Sequence, residues 1–486
     1  MVLRMREAGL ETRAPHTITM SDYTELKASL RGCVFMPGEP GYAGAVAAWV
    51  ANAGHRPDLV VLAECASDIQ AAVRFAGDRG WPVGVQATGH GALMPITRGI
   101  LINTSRMQGV SIDAEARTAR VEAGVKWASV VPQAHAHGLA PLVGSTTDVG
   151  VIGYTLGGGT GWLARQYGFA ADRIIAADLV TADGDLLHVT EVEHPELFWA
   201  LRGGSGNFGI VTSLEFELVP VETVFGGNTF YPIAHAKEVL AAFAAWTKDL
   251  PSEITASCGI LRIPPLPTLP PALQGATVVF TRACGIGNLE QAEAIIGPIR
   301  RIGGITPLMD TFGVMPFAAI DAISMDPVDP MPFAATTTSI NDLDEATIDR
   351  LLEVAGEGRE TPVMMIEIRF IEGAVDRMPR FGGVANRHDA PMVVMIGAVV
   401  PDPALAPAIH AALADVEGAF APASSGDLLV NFLHLGDSSE ERVRACFAKD
   451  DYLRLRQVKA DVDPGNMFRF NANIPPCTVP GVARIG

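Results

Sequence analysis

Three glycine-rich turns, "QATGHGALMP" (86–95), "LGGGTGWLARQYG" (156–168) and "RGGSGNFGIV" (202–211), stand beside apolar strand-like runs in the first half of this chain. Glycine lets backbone N–H groups approach a phosphate closely, because no Cβ intervenes and φ is free. One such turn is ordinary. Three close together point to a fold whose loops converge on one extended, phosphate-bearing ligand. The first turn also carries His90, between Gly89 and Gly91. Backbone freedom explains the glycines but not an imidazole, so His90 is either incidental or the reason for the turn.

Two phosphate-binding signatures are excluded. No GK[ST] follows a glycine loop, so there is no P-loop. Gly157 to Gly161 imitates a dinucleotide fingerprint but lacks the early βαβ setting with an acid about 20 residues on. The net charge of −18, with 36 basic and 54 acidic residues, argues against nucleic acid and anionic lipid as partners. Six cysteines without a CxxC pair signal neither zinc nor a redox dithiol. "HAH" (135–137) places its rings at i, i+2 on a helix, pointing apart, so no metal is expected. The first 20 residues have no signal-like apolar run, and no stretch of about 18 apolar residues would span a membrane. A cytoplasmic protein is expected.

At 486 residues, more than one domain is expected. "DLVVLAEC" (58–65) reads as a strand. A helix capped by Ser67 follows, with Ile69, Ala72, Val73 and Ala76 on one face and Gly80 as its stop. "WPVGVQ" (81–86) then delivers the chain to the His90 turn. Residues 99–105 and 119–125 read as strands, 126–137 as a helix, 173–189 as a hairpin, and 210–219 as a half-buried strand. Beyond 223 prolines multiply, with helices near 234–248 and 288–301 and strands at 276–283, 363–371 and 392–400. The segment 438–476 reads as helical. The division expected is 1–222, 223–425 and a C-terminal return, 426–486.

The ordered motifs "TGHGA", "GSTTDVGVIGYTLGGGTGWLARQYGFAADRI", "HPELFWALRGGSGNFGIVTSLEFELV" and "DPGNMFRFNANIPP" resemble the FAD-linked oxidases of the berberine-bridge-enzyme-like group, in the vanillyl-alcohol-oxidase, PCMH-type superfamily. The resemblance is dense over 58–220 and 425–476 and loose between. It implies an α+β fold: an FAD-binding domain of two α+β subdomains, plus a substrate domain with an antiparallel sheet and helices. It also implies a covalent bond from His90 to the flavin 8α-methyl. The cofactor would rest on Gln86, Ala87, Thr88, Gly89, Gly91 and Ala92, and on the backbone around Gly150, Gly153, Gly157, Gly158 and Gly159. Gly209, Val211, Asn471 and Asn473 would complete the site. Where relatives carry a second tethering cysteine this chain has Thr146, so one link is expected. Val149 matches the position where a small residue admits oxygen.

Flavin chemistry needs a group to take a proton from substrate. The family's Tyr-x-Asn motif is here Leu429 and Asn431, which removes the tyrosine. In "VMMIEIRFIEG" (363–373), Glu367 and Arg369 share one strand face. If that face meets the flavin, Glu367 is a candidate base and Arg369 a partner that lowers its pKa. The other reading, the commoner one for such a strand, is a solvated face. His434 is a further candidate, and "NRHD" (386–389) reads as a loop. The resulting expectation is an oxidase taking two electrons from a secondary metabolite, amine or alcohol and passing them to molecular oxygen as H2O2. The uncharged strand 391–400 favours a bulky apolar substrate. The protein would act as a monomer or homodimer. The competing readings are a dehydrogenase with another acceptor and a non-catalytic flavin binder.

Overall fold

The computed structural model describes residues 19–267, 269–385 and 390–477. Its first sheet contains β1 (Cys33–Phe35), β2 (Leu59–Leu62), β3 (Val83–Gln86) and β4 (Ile100–Asn103), in the order β1-β2-β4-β3. β2, β4 and β3 run parallel, and β1 is antiparallel to β2. Parallel strands covered on both faces need continuous apolar runs, and β2 and β4 supply them. The helix Ala66–Asp78 buries Ile69, Ala72, Val73 and Ala76 completely, as their spacing requires. It ends before Gly80, whose φ is +62°.

Its cap differs from the expectation. The N-cap is Cys65, and Ser67 lies inside the first turn. The buried Asp68 carboxylate instead accepts the backbone N–H groups of Arg31, Gly32 and Glu64 at 2.8–3.0 Å. It therefore ties β1 to the helix start.

The second sheet is antiparallel, β5 (Val110–Asp113), β6 (Thr118–Glu122), β7 (Ile174–Val180), β8 (Leu186–Val189) and β9 (Ile210–Glu217), in the order β5-β6-β9-β7-β8. The long connection from β6 to β7 holds the helix Trp127–His135 and the second glycine stretch.

The third sheet takes β10 (Thr223–Pro232), β11 (Ile254–Arg262), β12 (Thr277–Gly285), β13 (Met309–Asp310), β14 (Gly313–Pro316), β15 (Phe333–Ile340), β16 (Met365–Phe370) and β17 (Met392–Val399). Its order is β13-β10-β12-β11-β16-β17-β15, with β14 also on β10. Alternation gives the sheet two faces. Ile260, Val279, Ile366, Ile368, Val394 and Ile396 pack against helices Ala236–Thr247, Leu289–Arg300, Glu345–Ala355 and Ala406–Phe420 in one core. A second core joins the two smaller sheets to residues 428–474.

The C-terminal return is helical only in part, at Glu440–Arg444 and Lys449–Val462. Pro464 and Gly465 follow the second helix, and from there the chain runs irregularly back to the first sheet. There the Val83 N–H donates to the Met467 carbonyl. Lys459, fully buried, pairs with Asp463 at 2.7 Å and donates to the Asn207 carbonyl at 2.6 Å, pinning the return in place.

Candidate active site

The turn after β3 is held by the segment preceding β2. Trp49 and Val50 donate their N–H groups to the Thr88 and Gly89 carbonyls, and the Gln86 amide donates to the Ala47 carbonyl at 2.7 Å. Gln86 thus braces the turn. Gly89 has φ +76°, and a Cβ there would stand 2.5 Å from Ala48, so glycine is required. Gly91 differs from the expectation: its φ is ordinary and a Cβ would meet nothing.

The His90 ring stacks on Trp49, centroids 4.6 Å apart and planes 17° apart. Its Nδ1 lies 2.9 Å from Thr88 Oγ1. Nε2 is buried without a hydrogen-bond partner, and its nearest charged neighbour is Asp148, at 3.8 Å. Lys126 holds the other Asp148 oxygen at 2.6 Å. Burial lowers the pKa of His90 to about 4, so the ring is neutral at pH 7. These residues, with Ala87, Ser105 and Val328, line a cavity of about 470 Å³.

Asp148 is presented by a pinned backbone. Lys126 and Gly150 form an antiparallel bridge, and Trp127 and Ala128 donate to the carbonyls of Val149 and Thr147. Thr146 Oγ1 accepts the Asp148 N–H at 3.2 Å, so the hydroxyl at the expected cysteine position serves its own turn. Gly150 packs beside Ala87 and Thr88, bringing this segment against the His90 turn. Gly157 and Gly159 are needed for protein packing: a Cβ on either would lie under 3.0 Å from Asn431 or from Tyr154 and Ala170. Gly153, by contrast, faces open space.

Asn431 joins this stretch as a bracket. Its Oδ1 accepts the Gly159 N–H at 2.7 Å and its Nδ2 donates to the Tyr154 carbonyl at 3.1 Å. Asn471 donates to the carbonyls of Gly206 and Phe468. Gly209, at φ +150°, lets Leu179 pack at its Cα, next to β9 where Val211 is buried. Tyr154 Oη and the Oδ1 atoms of Asn471 and Asn473 are buried polar atoms without a protein partner. Each would cost about 1–3 kcal/mol left unmet, so this donor and acceptor set fits a bound polar cofactor. Tyr154 was not among the candidates read from sequence. Its only signal there is a lone tyrosine entering the glycine run.

The polar face of the third sheet is buried, which corrects the expectation of a solvated strand face. Asn228, Arg282, Ser257, Arg369, Val393 and Ser339 stand in one register row across it. Beside that row Glu367 is 1% exposed. It accepts from Ser257 at 2.8 Å, Arg282 at 3.2 Å and Arg369 at 2.8 and 2.9 Å. Burial alone would raise its pKa; the two guanidinium groups overcome that and hold it at about 2. Glu367 is therefore a fixed carboxylate at neutral pH.

Arg369 also approaches the Phe432 ring and Ser145 Oγ, and Ser145 donates to Asp326 at 2.6 Å, so this face meets the segment that carries Asp148. Burial raises the pKa of Asp326. His434 has its Nε2 buried and unpartnered, and burial, aided by Arg442, lowers it to about 4. Residues 386–389 lie outside the described residues. Among the described residues no three His, Cys, Asp or Glu side chains are grouped to hold a metal.

Comparison with known proteins bears on this geometry. Residues 57–190 match the family model described as "FAD binding domain", and 429–475 match "Berberine and berberine like". In both regions the chain is similar to the berberine-bridge-enzyme-like FAD-linked oxidases. Among the relatives of this BBE-like protein is (R)-6-hydroxynicotine oxidase of Paenarthrobacter nicotinovorans, 29% identical over 94% of this chain and 99% of that one. An FAD-linked oxidoreductase of Dictyostelium discoideum is 28% identical over 92% and 95%. Among solved structures, 6-hydroxy-D-nicotine oxidase from Arthrobacter nicotinovorans superimposes with a TM-score of 0.79 at 26% identity, over 92% of this chain and 99% of that one. A chitooligosaccharide oxidase, 19% identical, shares the fold with a TM-score of 0.80 over 94% and 100%. The BBE-like chain is thus an FAD-dependent oxidoreductase of the oxidase type.

Proposed function

We propose that this oxidase holds FAD by a single covalent bond to His90 and removes two electrons from a small, largely apolar amine or alcohol of secondary metabolism, with molecular oxygen as acceptor and H2O2 as product. The observation that carries the tether is His90 itself: neutral, stacked on Trp49, with its Nδ1 beside the uncharged Thr88 hydroxyl. Bound FAD would supply the two-electron chemistry. The relative named as a 6-hydroxynicotine oxidase supports the amine choice.

In this reading Gly150, Asn471, Asn473 and Tyr154 hold the cofactor. The Glu367–Arg282–Arg369 group forms a rigid charged wall, because a carboxylate held at about pKa 2 is a weak proton acceptor. His434, neutral and buried, remains the better candidate to accept a substrate proton. Val149, partly buried beside Gly150, is the oxygen gate. The core beneath the third sheet, whose buried residues run from Phe225 to Phe420, supports a division at 222/223 and 425/426. All six cysteines are free, which supports a reducing, cytoplasmic setting; among the described residues no helix is long and apolar enough to cross a membrane.

Anaerobic mixing with a panel of amines and alcohols tests the reading. The yellow colour should bleach with one substrate class and return on admitting air, releasing about one H2O2 per turnover. Val149→Leu should slow the return with little effect on bleaching. Bleaching that only a quinone or protein acceptor reverses would make the chain a dehydrogenase instead.

A further inference from the structure

The tether proposed above asks more of His90 than a free nitrogen. A neutral imidazole has one bare nitrogen and one N–H. When the bare nitrogen bonds to the flavin methyl carbon, the methyl C–H gives up a proton, and the second imidazole nitrogen must give up its own. Two electrons remain, and molecular oxygen takes them with both protons as H2O2. A group facing that second nitrogen is therefore needed. We propose that Asp148 orients His90 for this bond and accepts the imidazole proton as it forms, an inference that rests on the His90 tether.

The surroundings of the ring distinguish its two nitrogens. Nδ1 faces the Thr88 hydroxyl at 2.9 Å, an uncharged group that serves equally as donor or acceptor. Nε2 faces the Asp148 carboxylate at 3.8 Å and has no hydrogen-bond partner. Hydrogen bonds that serve a reaction are often this long beforehand and tighten as the reacting complex forms. Trp49 stacks on the imidazole and fixes its ring plane.

The carboxylate itself has little freedom. The backbone on both sides of it is bonded to residues 125–128, and Thr147 is tied through its N–H and hydroxyl to Asp321. Lys126 and Asp148 are the charged groups that act on the ring, and Lys126 takes only one of the two carboxylate oxygens, leaving Oδ2 for His90. Burial keeps the ring unprotonated at pH 7, the form that can attack carbon. A carboxylate on the far nitrogen is the arrangement that orients an imidazole and stabilises the positive charge it develops in nucleophilic chemistry generally.

The test follows pellet-bound flavin after acid precipitation over time, once FAD is added to protein purified with part of its sites empty. Asp148→Asn should hold the same total flavin per chain but form the covalent bond about a hundredfold more slowly, the scale of a lost proton acceptor. Asp148→Glu should restore most of the rate. Asp148→Asn tethering at the parent rate would overturn the proposal, as would Asp148→Glu no faster than Asp148→Asn. If Asp148→Asn binds no flavin, the comparison of Asp148→Glu with the parent decides: loss of tethering with flavin still bound overturns the proposal, and retention supports it. Parent protein with no pellet colour would remove the tether itself, a failure distinct from that of Asp148.

Discussion

Glu367 sits between two guanidinium groups, and that setting decides what it does. Removing its charge would leave Asp326 as the carboxylate still acting on Arg282 and Arg369. Glu367→Gln should cost about 3–5 kcal/mol of stability, measured by urea unfolding at pH 7. The pH dependence has a definite sign. The folded pKa lies near 2 against an ordinary 4.5, so the stabilisation is present above 4.5 and is lost as pH falls from there toward 2. The variant should flatten that acid limb; an unchanged limb would show that the charge is not held as described. Strand parity alone placed Glu367 and Arg369 together. It could not tell that the face is covered, because Asn228, Arg282, Ser145 and Asp326 come from distant parts of the chain. Tyr154 was missed for the same reason, since an orphaned hydroxyl is a property of packing. His90 was legible because an imidazole inside a glycine turn has no structural excuse.

Between elements, Arg165 does the joining. It leaves the short helix Ala164–Tyr167 and donates to the carbonyls of Leu250, Pro251, Ile254 and Glu372, linking the glycine-rich segment to the start of β11 and the end of β16. Arg165→Met would leave four partly buried acceptors unmet and should destabilise by about 3 kcal/mol, read as a lowered urea midpoint. An unaffected midpoint would mean the two parts hold together through apolar contact alone. Element by element, the first half was readable because its strands are apolar runs punctuated by glycine. In the third sheet only β12, β16 and β17 were recognised. β10 contains two glycines and an asparagine, and β15 is largely alanine and threonine, so neither shows a strong period of two. The side chain of Ser67 suits a cap, yet Asp68, inside the first turn, organises the helix start by accepting the N–H groups of Arg31, Gly32 and Glu64.

At the scale of the whole molecule, two sheets and a returning C-terminus make one side of the site, and the polar face of the third sheet makes the other. The His90 turn and the segment carrying Asp148 meet at that junction, which is why composition and motif order could indicate a cofactor while the charged wall, built from distant segments, could not be read from them. The account stands on one covalent bond. The direct measurement is to denature purified protein and His90→Ala in acid, separate pellet from supernatant, and read flavin absorbance in each. The account predicts yellow pellet from the parent and colourless pellet from the variant, with any flavin the variant bound released to solution. Flavin wholly in the supernatant of both, or pellet colour that survives His90→Ala, would contradict it.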